Sequence, residues 1–287
     1  MNLAARFAML WPPVVFVLCW SSGPIFSRWG LDHGSSFAIL IGRYAVALAF
    51  LSLFCIQAKR FMPPVGKRLA TAVTGFLLVG VYTICYLLAL ANHITPGVLS
   101  TVMGIQPILT LWLLERNSFS AQRLVGLFIA LGGLILVVFQ SLTSSELTFV
   151  GMLYALGALA CISTGSIFQK RLNLAPMDCL PLQYLVSLIL CLLFIPIQPF
   201  HYELNAGFII PVLWLGLIIS GVAQLLLYRL IRSGNLVNVT SLLYLVPGTT
   251  VIMDYIFLGN TLSMQNLIGM LAIICGLIIV FRVKRPA

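Results

Sequence analysis

Residues 120–137 read SAQRLVGLFIALGGLILV, and residues 263–280 read SMQNLIGMLAIICGLIIV. At this offset of 143, eight of the 18 positions are identical: Ser120/Ser263, Gln122/Gln265, Leu124/Leu267, Gly126/Gly269, Gly133/Gly276, Leu134/Leu277, Ile135/Ile278 and Val137/Val280. Apolar composition alone would give roughly 2. Each stretch is also long and apolar enough to be a membrane-crossing helix, which needs about 20 residues. A duplicated unit therefore ends in a membrane span.

Further matches run outward from this pair. Ser21-Ser22-Gly23-Pro24-Ile25-Phe26-Ser27-Arg28 recurs as Ser163-Thr164-Gly165-Ser166-Ile167-Phe168-Gln169-Lys170 at offset 142. Gly75 and Gly80-Val81 recur as Gly216 and Gly221-Val222, and Arg43-Tyr44 corresponds to Gln183-Tyr184. Apolar runs place spans at about 11–30, 35–57, 69–91, 96–114, 120–140, 148–170, 178–198, 208–230, 236–258 and 263–282. The runs are too long for barrel strands of about 10 alternating residues. The predicted fold is an all-α membrane protein of ten transmembrane helices, in halves 1–143 and 144–287. Five spans is an odd number, so the second half enters the membrane from the other side. Inverted repeats of this kind are typical of secondary transporters, with the substrate site near the midplane between the halves.

Composition agrees. The 287 residues are 61% hydrophobic and 8% charged, with a mean hydropathy of +1.10. Soluble domains are about 25% charged, so a soluble enzyme, a disordered chain and a nucleic-acid binder are excluded. The net charge of +10 is sorted by loop: 14 of the 16 Lys and Arg fall in loops on one side. By the positive-inside rule that side is cytoplasmic. The expectation is a multi-pass protein of a bacterial-type inner membrane with both termini in the cytoplasm. Arg6 precedes the first apolar run, but no A-x-A-like cleavage site follows, so this run reads as a retained helix. The seven cysteines show no C-x-x-C spacing and read as packing residues.

Trp20-Ser21-Ser22-Gly23 with Phe26, Arg43-Tyr44 and Pro107 form a recognisable set. To these add Glu115 followed by Ser120-x-Gln122-x3-Gly126, and Ser263-x-Gln265-x3-Gly269. In these residues the sequence resembles the EamA family of the drug/metabolite transporter superfamily. The resemblance covers the whole chain. It implies ten helices, export of small metabolites such as amino acids, and a central cavity lined mainly by spans 1, 3, 4, 6, 8 and 9. Asn260 stands where the family often carries Glu.

No catalytic or nucleotide-binding motif is visible, so no enzymatic activity, cofactor or metal is expected. The expected partners are a small-molecule substrate and the bilayer, not nucleic acid; a homodimer is compatible with the sequence. Candidate cavity residues follow from polar and aromatic side chains at helical spacing. Tyr82 and Tyr86 share one face of span 3, and Gln224 and Tyr228 share one face of span 8. Ser100, Met103 and Gln106 are three apart in span 4; Ser241 and Tyr244 repeat that in span 9. Trp20 and Ser21 correspond to Ile162 and Ser163. Such a lining suits amphiphilic or aromatic solutes.

Arg43 lies inside span 2, where an unpaired charge costs at least about 2.5–3.5 kcal/mol. It should contact substrate, or be tethered to Asp32, Asp254 or a helix end. Asp254 and Glu115 are candidates for coupling or gating. Pro107 and Pro247 sit in corresponding helices and mark a paired hinge or site. Gly126 with Ala130, and Gly157, Cys161 and Gly165, read as rows that let helices pack closely. Two alternatives stay open: exchange of sugar phosphates or nucleotide-linked sugars, which should need several buried cations, and a non-transporting lipid-handling subunit.

Overall fold

The computed structural model describes residues 3–58, 62–114, 120–143, 148–258 and 263–282. Ten helical spans run through it: Trp11–Leu31, Ser36–Leu53, Val65–Ala91, Pro96–Leu114, Ala121–Gln140, Phe149–Leu172, Pro176–Phe194, Ala206–Ser233, Leu236–Met253 and Met264–Arg282, numbered here 1 to 10. These bounds depart from the sequence boundaries at several spans, among them 3, 7 and 8. Span 7 starts two residues early because Pro176 occupies its first turn, where no backbone donor is needed, and Asp178 joins that turn. It ends at Phe194, before the turn ahead of Pro199.

The two halves build their helices with the same devices. Ser120 and Ser263 each cap a helix, accepting from the backbone N–H of Arg123 at 3.3 Å and of Asn266 at 3.1 Å. Thr95 and Asn235 cap spans 4 and 9, accepting from Val98 and Asn238. These oxygens satisfy donors that a helix start leaves unpaired. Spans 3 and 8 each carry a π-helical segment, Phe76–Val81 and Leu215–Ala223. A π segment disrupts the α ladder and frees carbonyls. In each half the tyrosine of the preceding span donates to one. The Tyr44 hydroxyl reaches the Val79 carbonyl at 2.8 Å, and Tyr184 reaches Ser220 at 2.6 Å.

Spans 4 and 9 are both broken. Span 4 is interrupted at Gly104-Ile105, between helices Pro96–Met103 and Gln106–Leu114. Span 9 is interrupted by a 3₁₀ turn at Leu242–Tyr244. Each interruption lies within one turn before its proline, Pro107 or Pro247, whose ring excludes the hydrogen bond to the preceding turn. The breaks meet across the molecule, where the Tyr244 hydroxyl donates to the Gly104 carbonyl at 2.6 Å.

Spans 5 and 10 form the most extensive helix pair. A methyl group at Gly133 would lie 2.6 Å from the Gly269 carbonyl oxygen, and one at Gly276 would lie 2.5 Å from that of Gly126. The glycines matched in the sequence thus face each other in antiparallel helices, Gly126 to Gly276 and Gly133 to Gly269. This pair has its own small core with Leu111, Val237 and Tyr244. The larger core belongs to spans 1–4 and 6–9.

The helix ends on one side carry Lys67, Arg68, Lys170, Arg171, Arg229, Arg232 and Arg282. At the opposite end, the loop after span 1 pairs with the loop after span 7. Ser35 N–H donates to the His201 carbonyl, and Glu203 N–H to that of His33.

Candidate functional site

A cavity of about 90 Å³ lies between the two halves. Its wall takes Trp20, Gly23, Pro24 and Ser27 from span 1, Tyr82, Thr83 and Tyr86 from span 3, and Ser100, Met103 and Gly104 from span 4. Ile162 comes from span 6, Leu215, Ile219 and Gln224 from span 8, and Leu243, Val246 and Pro247 from span 9. Spans 2 and 7, outside the expected set, contribute Arg43 and Tyr184.

The cavity is lopsided along the repeat axis. Tyr82, Tyr86 and Ser100 are part-exposed, whereas their counterparts Ala223, Leu227 and Thr240 are buried. Ser27, Tyr86 and Ser100 belong to the ends of their spans away from the basic loops. The space therefore runs from the middle of the molecule toward the less basic end. Toward the basic end the path is closed by packing and hydrogen bonds.

Arg43 is 8% exposed and forms part of the wall. Its Nε donates to Ser220 Oγ at 2.6 Å. No other acceptor among the described residues meets the guanidinium. Asp32, expected as a tether, instead pairs with Arg28 at 3.2 Å. The equivalent Gln183 is enclosed: its amide donates to Gln169 Oε1 at 2.9 Å, and its Oε1 accepts from Tyr228 at 2.7 Å. The two equivalent positions thus differ in charge and in access. Gly216 explains the close seat of Arg43, since a Cβ there would lie 3.1 Å from the Arg43 carbonyl oxygen and 2.6 Å from Val46. Gly75 does the same against Gln183.

The wall brings together Trp20, Arg43, Tyr82, Tyr86, Ser100, Met103, Gln224 and Pro247 of the residues singled out from sequence. Five expected cavity residues lie outside it. Ser21 is fully buried and donates to the Val17 carbonyl. Gln106 is turned away by the break at Gly104-Ile105; its Nε2 donates to Ser166 at 3.3 Å, and its Oε1 is buried without a partner. Ser163 is likewise buried with an unpartnered hydroxyl. Tyr228 is one turn beyond Gln224, on the closed side, and Tyr244 closes onto Gly104. Pro107 is buried behind the wall. Asp254 falls in the helix Leu245–Leu258, with its side chain outside the described residues; Glu115 and Asn260 lie outside them altogether.

Sequence reasoning missed Ser27, Thr83, Tyr184 and the apolar wall from spans 8 and 9. Tyr184 carried a signal, the match of Arg43-Tyr44 to Gln183-Tyr184. The apolar members carried none, because an apolar side chain facing a cavity looks like one facing lipid.

The sequence pattern of the EamA-like transporter family matches residues 7–139 and again 149–282. The uncharacterized transporter YvbV of Bacillus subtilis (strain 168) is 24% identical over 200 residues, 66% of this chain. The match spans 64% of that relative's length. A solved crystal structure superposes with a TM-score of 0.79 over 93% of this chain and 94% of the other, at 15% identity, a likeness of fold alone. With ten apolar helices, two repeats each matched by the family pattern and a cavity between them, the chain belongs to the EamA-like transporter family and is a multi-pass membrane protein.

Proposed function

We propose that this protein exports small amphiphilic metabolites bearing a carboxylate, amino acids among them, across an inner membrane by alternating access. The observation that carries this reading is the Arg43 guanidinium in the cavity wall, with one nitrogen on Ser220 and aromatic and amide groups around it. A guanidinium offers five donors in a planar fork that matches a carboxylate. Trp20, Tyr82 and Tyr86 supply apolar surface for the remainder of the solute. Gln224 and Ser100 offer neutral polar contacts suited to an amine or amide. One cation in the wall suits one carboxylate better than a diphosphate, which would call for several. The access state favoured is open away from the basic loops, hence outward-open if those loops are cytoplasmic.

The test is solute flux in proteoliposomes, with a panel of amino acids, aromatic carboxylates and their amides, with and without a pH gradient. Carboxylates should be carried better than their amides. Arg43→Lys should retain part of that preference, and Arg43→Gln should abolish it with folded protein still present. Equal flux of acid and amide through the wild type would overturn the assignment of Arg43. Preferred flux of sugar phosphates or nucleotide sugars would favour the exchanger reading. No flux of any solute would overturn export.

A further inference from the structure

Lys170 ends span 6, and its ammonium donates to three carbonyls beyond that span: Ile231 at 2.7 Å, Arg232 at 3.0 Å and Gly234 at 2.7 Å. These belong to the last turn of span 8 and the linker into span 9. Helix C-terminal carbonyls lack donors of their own and carry the negative end of the helix dipole. A cation there bolts span 6 to the junction of spans 8 and 9. That junction sits at the end where the path is closed.

The repeat supplies a mirror residue. Arg28 occupies the position of Lys170 at offset 142, in the matched segment of span 1. By the register of spans 3 and 8, offset 141 as in Gly80 and Gly221, the counterparts of Ile231, Arg232 and Gly234 are Leu90, Ala91 and His93, at the end of span 3 and the linker into span 4. No hydrogen bond between described residues ends on the Leu90 or Ala91 carbonyl. Arg28 does not reach them. Its side chain is 60% exposed and pairs with Asp32. It lines an open cleft whose other wall includes Leu88, Ala91 and Asn92, the end of span 3 itself. The same cation position is thus engaged at the closed end and disengaged at the open end. Asp32 has no acidic counterpart, since Leu174 stands at the equivalent position.

We propose that Lys170 and Arg28 are alternating latches of the transport cycle. Lys170 holds the basic end shut in this state. When it releases, Arg28 leaves Asp32 and closes onto the end of span 3, shutting the opposite end. This rests on the alternating-access part of the proposed function but not on any substrate.

The test therefore reads access without flux. On a background with the native cysteines replaced, Ser100→Cys reports the open side and Thr240→Cys, its counterpart, the closed side. The ratio of their labelling rates by a water-soluble maleimide is measured in nanodiscs, where both faces meet the reagent. Losing three charge-assisted hydrogen bonds in Lys170→Met should shift this ratio toward Thr240→Cys by about tenfold or more. Asp32→Asn should shift it the same way by freeing Arg28. Arg28→Met should shift it the other way, and Lys170→Met with Arg28→Met should return it toward wild type. Should Lys170→Met fail to fold, Arg28→Met and Asp32→Asn, both at exposed positions, decide the matter. An unchanged ratio in these variants, or Arg28→Met and Asp32→Asn moving it in the same direction, would overturn the latch pair whether or not the protein carries carboxylates.

Discussion

Gly276→Ala places a methyl group 2.5 Å from the Gly126 carbonyl oxygen, 2.6 Å from the Ala130 nitrogen and 2.9 Å from the Ala130 Cβ. Two of the three obstacles are backbone atoms, so no side-chain rotation relieves the overlap. Ordinary contact begins at 3.4 Å, and spans 5 and 10 must part locally by roughly 0.9 Å to reach it. A gap of about 0.5–1 Å forfeits about a quarter to a half of each dispersion contact it opens. Overpacking of this kind costs about 1–3 kcal/mol. Spread over a chain of this size that lowers Tm by about 2–12 °C. Gly132→Ala is the control, because a Cβ there meets nothing within 4 Å. Its intrinsic helix preference favours alanine by about 0.8–1.0 kcal/mol. The assay is thermal unfolding of the purified protein in one detergent, followed by intrinsic fluorescence. Gly276→Ala should fall and Gly132→Ala should hold or rise. Equal Tm values for the two variants would refute the backbone-to-backbone seat of this helix pair.

Other expectations follow from the cavity and its supports. Tyr82→Ala and Gln224→Ala should each lower flux with expression and Tm near wild type, since both side chains border open space; unchanged transport kinetics in both would remove them from the solute path. Tyr184→Phe strands the Ser220 carbonyl in the π segment. It should cost about 1–3 kcal/mol of stability, visible as a lower Tm, and an unaltered Tm would show that the carbonyl finds another donor. Hydrogen bonds from His33 and Asn205 hold the Glu203 carboxyl below its ordinary range, with His201 adding favourable charge. Because the folded value is the lower one, this brace between the two loops is present above the ordinary carboxylate range and is lost as pH falls through the lowered value. Amide exchange in residues 199–205 should therefore speed up on acidification in the wild type. In Glu203→Gln it should be faster at neutral pH and lack that acid step.

The fold was legible because the membrane leaves few choices. Apolar length announces each span, basic loops sort the ends, and an odd number of matched spans forces the inversion. The opening stretch encoded more than a span. Its repeated Ser became a cap in both halves, and its repeated Gly pairs became the contact between spans 5 and 10. Helix boundaries shifted where proline reset them. The π segments in spans 3 and 8 were not legible. Their signal is Gly80, with Gly75 just ahead of the segment, and the pair Gly216 and Gly221, which an α-helix tolerates equally well, and what stabilises them is a tyrosine from another span.

The cavity was legible in part, for a reason visible in the residues it omits. Spacing of three or four tells which side chains share a face, but not whether that face meets a cavity, a neighbour or lipid. Tyr82 with Tyr86 and Gln224 with Tyr228 have the same spacing, yet the first pair borders space while Tyr228 is locked to Gln183. Under the alternating-access reading proposed above, the difference belongs to the conformational state. In an inverted repeat, the positions exposed on one side are the counterparts of those buried on the other, and one sequence must serve both arrangements. Buried polar groups such as Gln183 and Gln169 are then the closed-side equivalents of Arg43 and Ser27, which stand in the cavity wall, and they are satisfied by one another while the path is shut. A single sequence lists the residues of both access routes together, and the hydrogen bonds of one state separate them. Arg43 against Gln183 is where this symmetry is broken in charge. If alternation exchanges the two environments, Gln183 opens to the basic end as a neutral amide while Arg43 is enclosed. A solute held by its carboxylate at Arg43 would then be gripped unequally in the two states, an asymmetry that a chain of two identical halves could not provide.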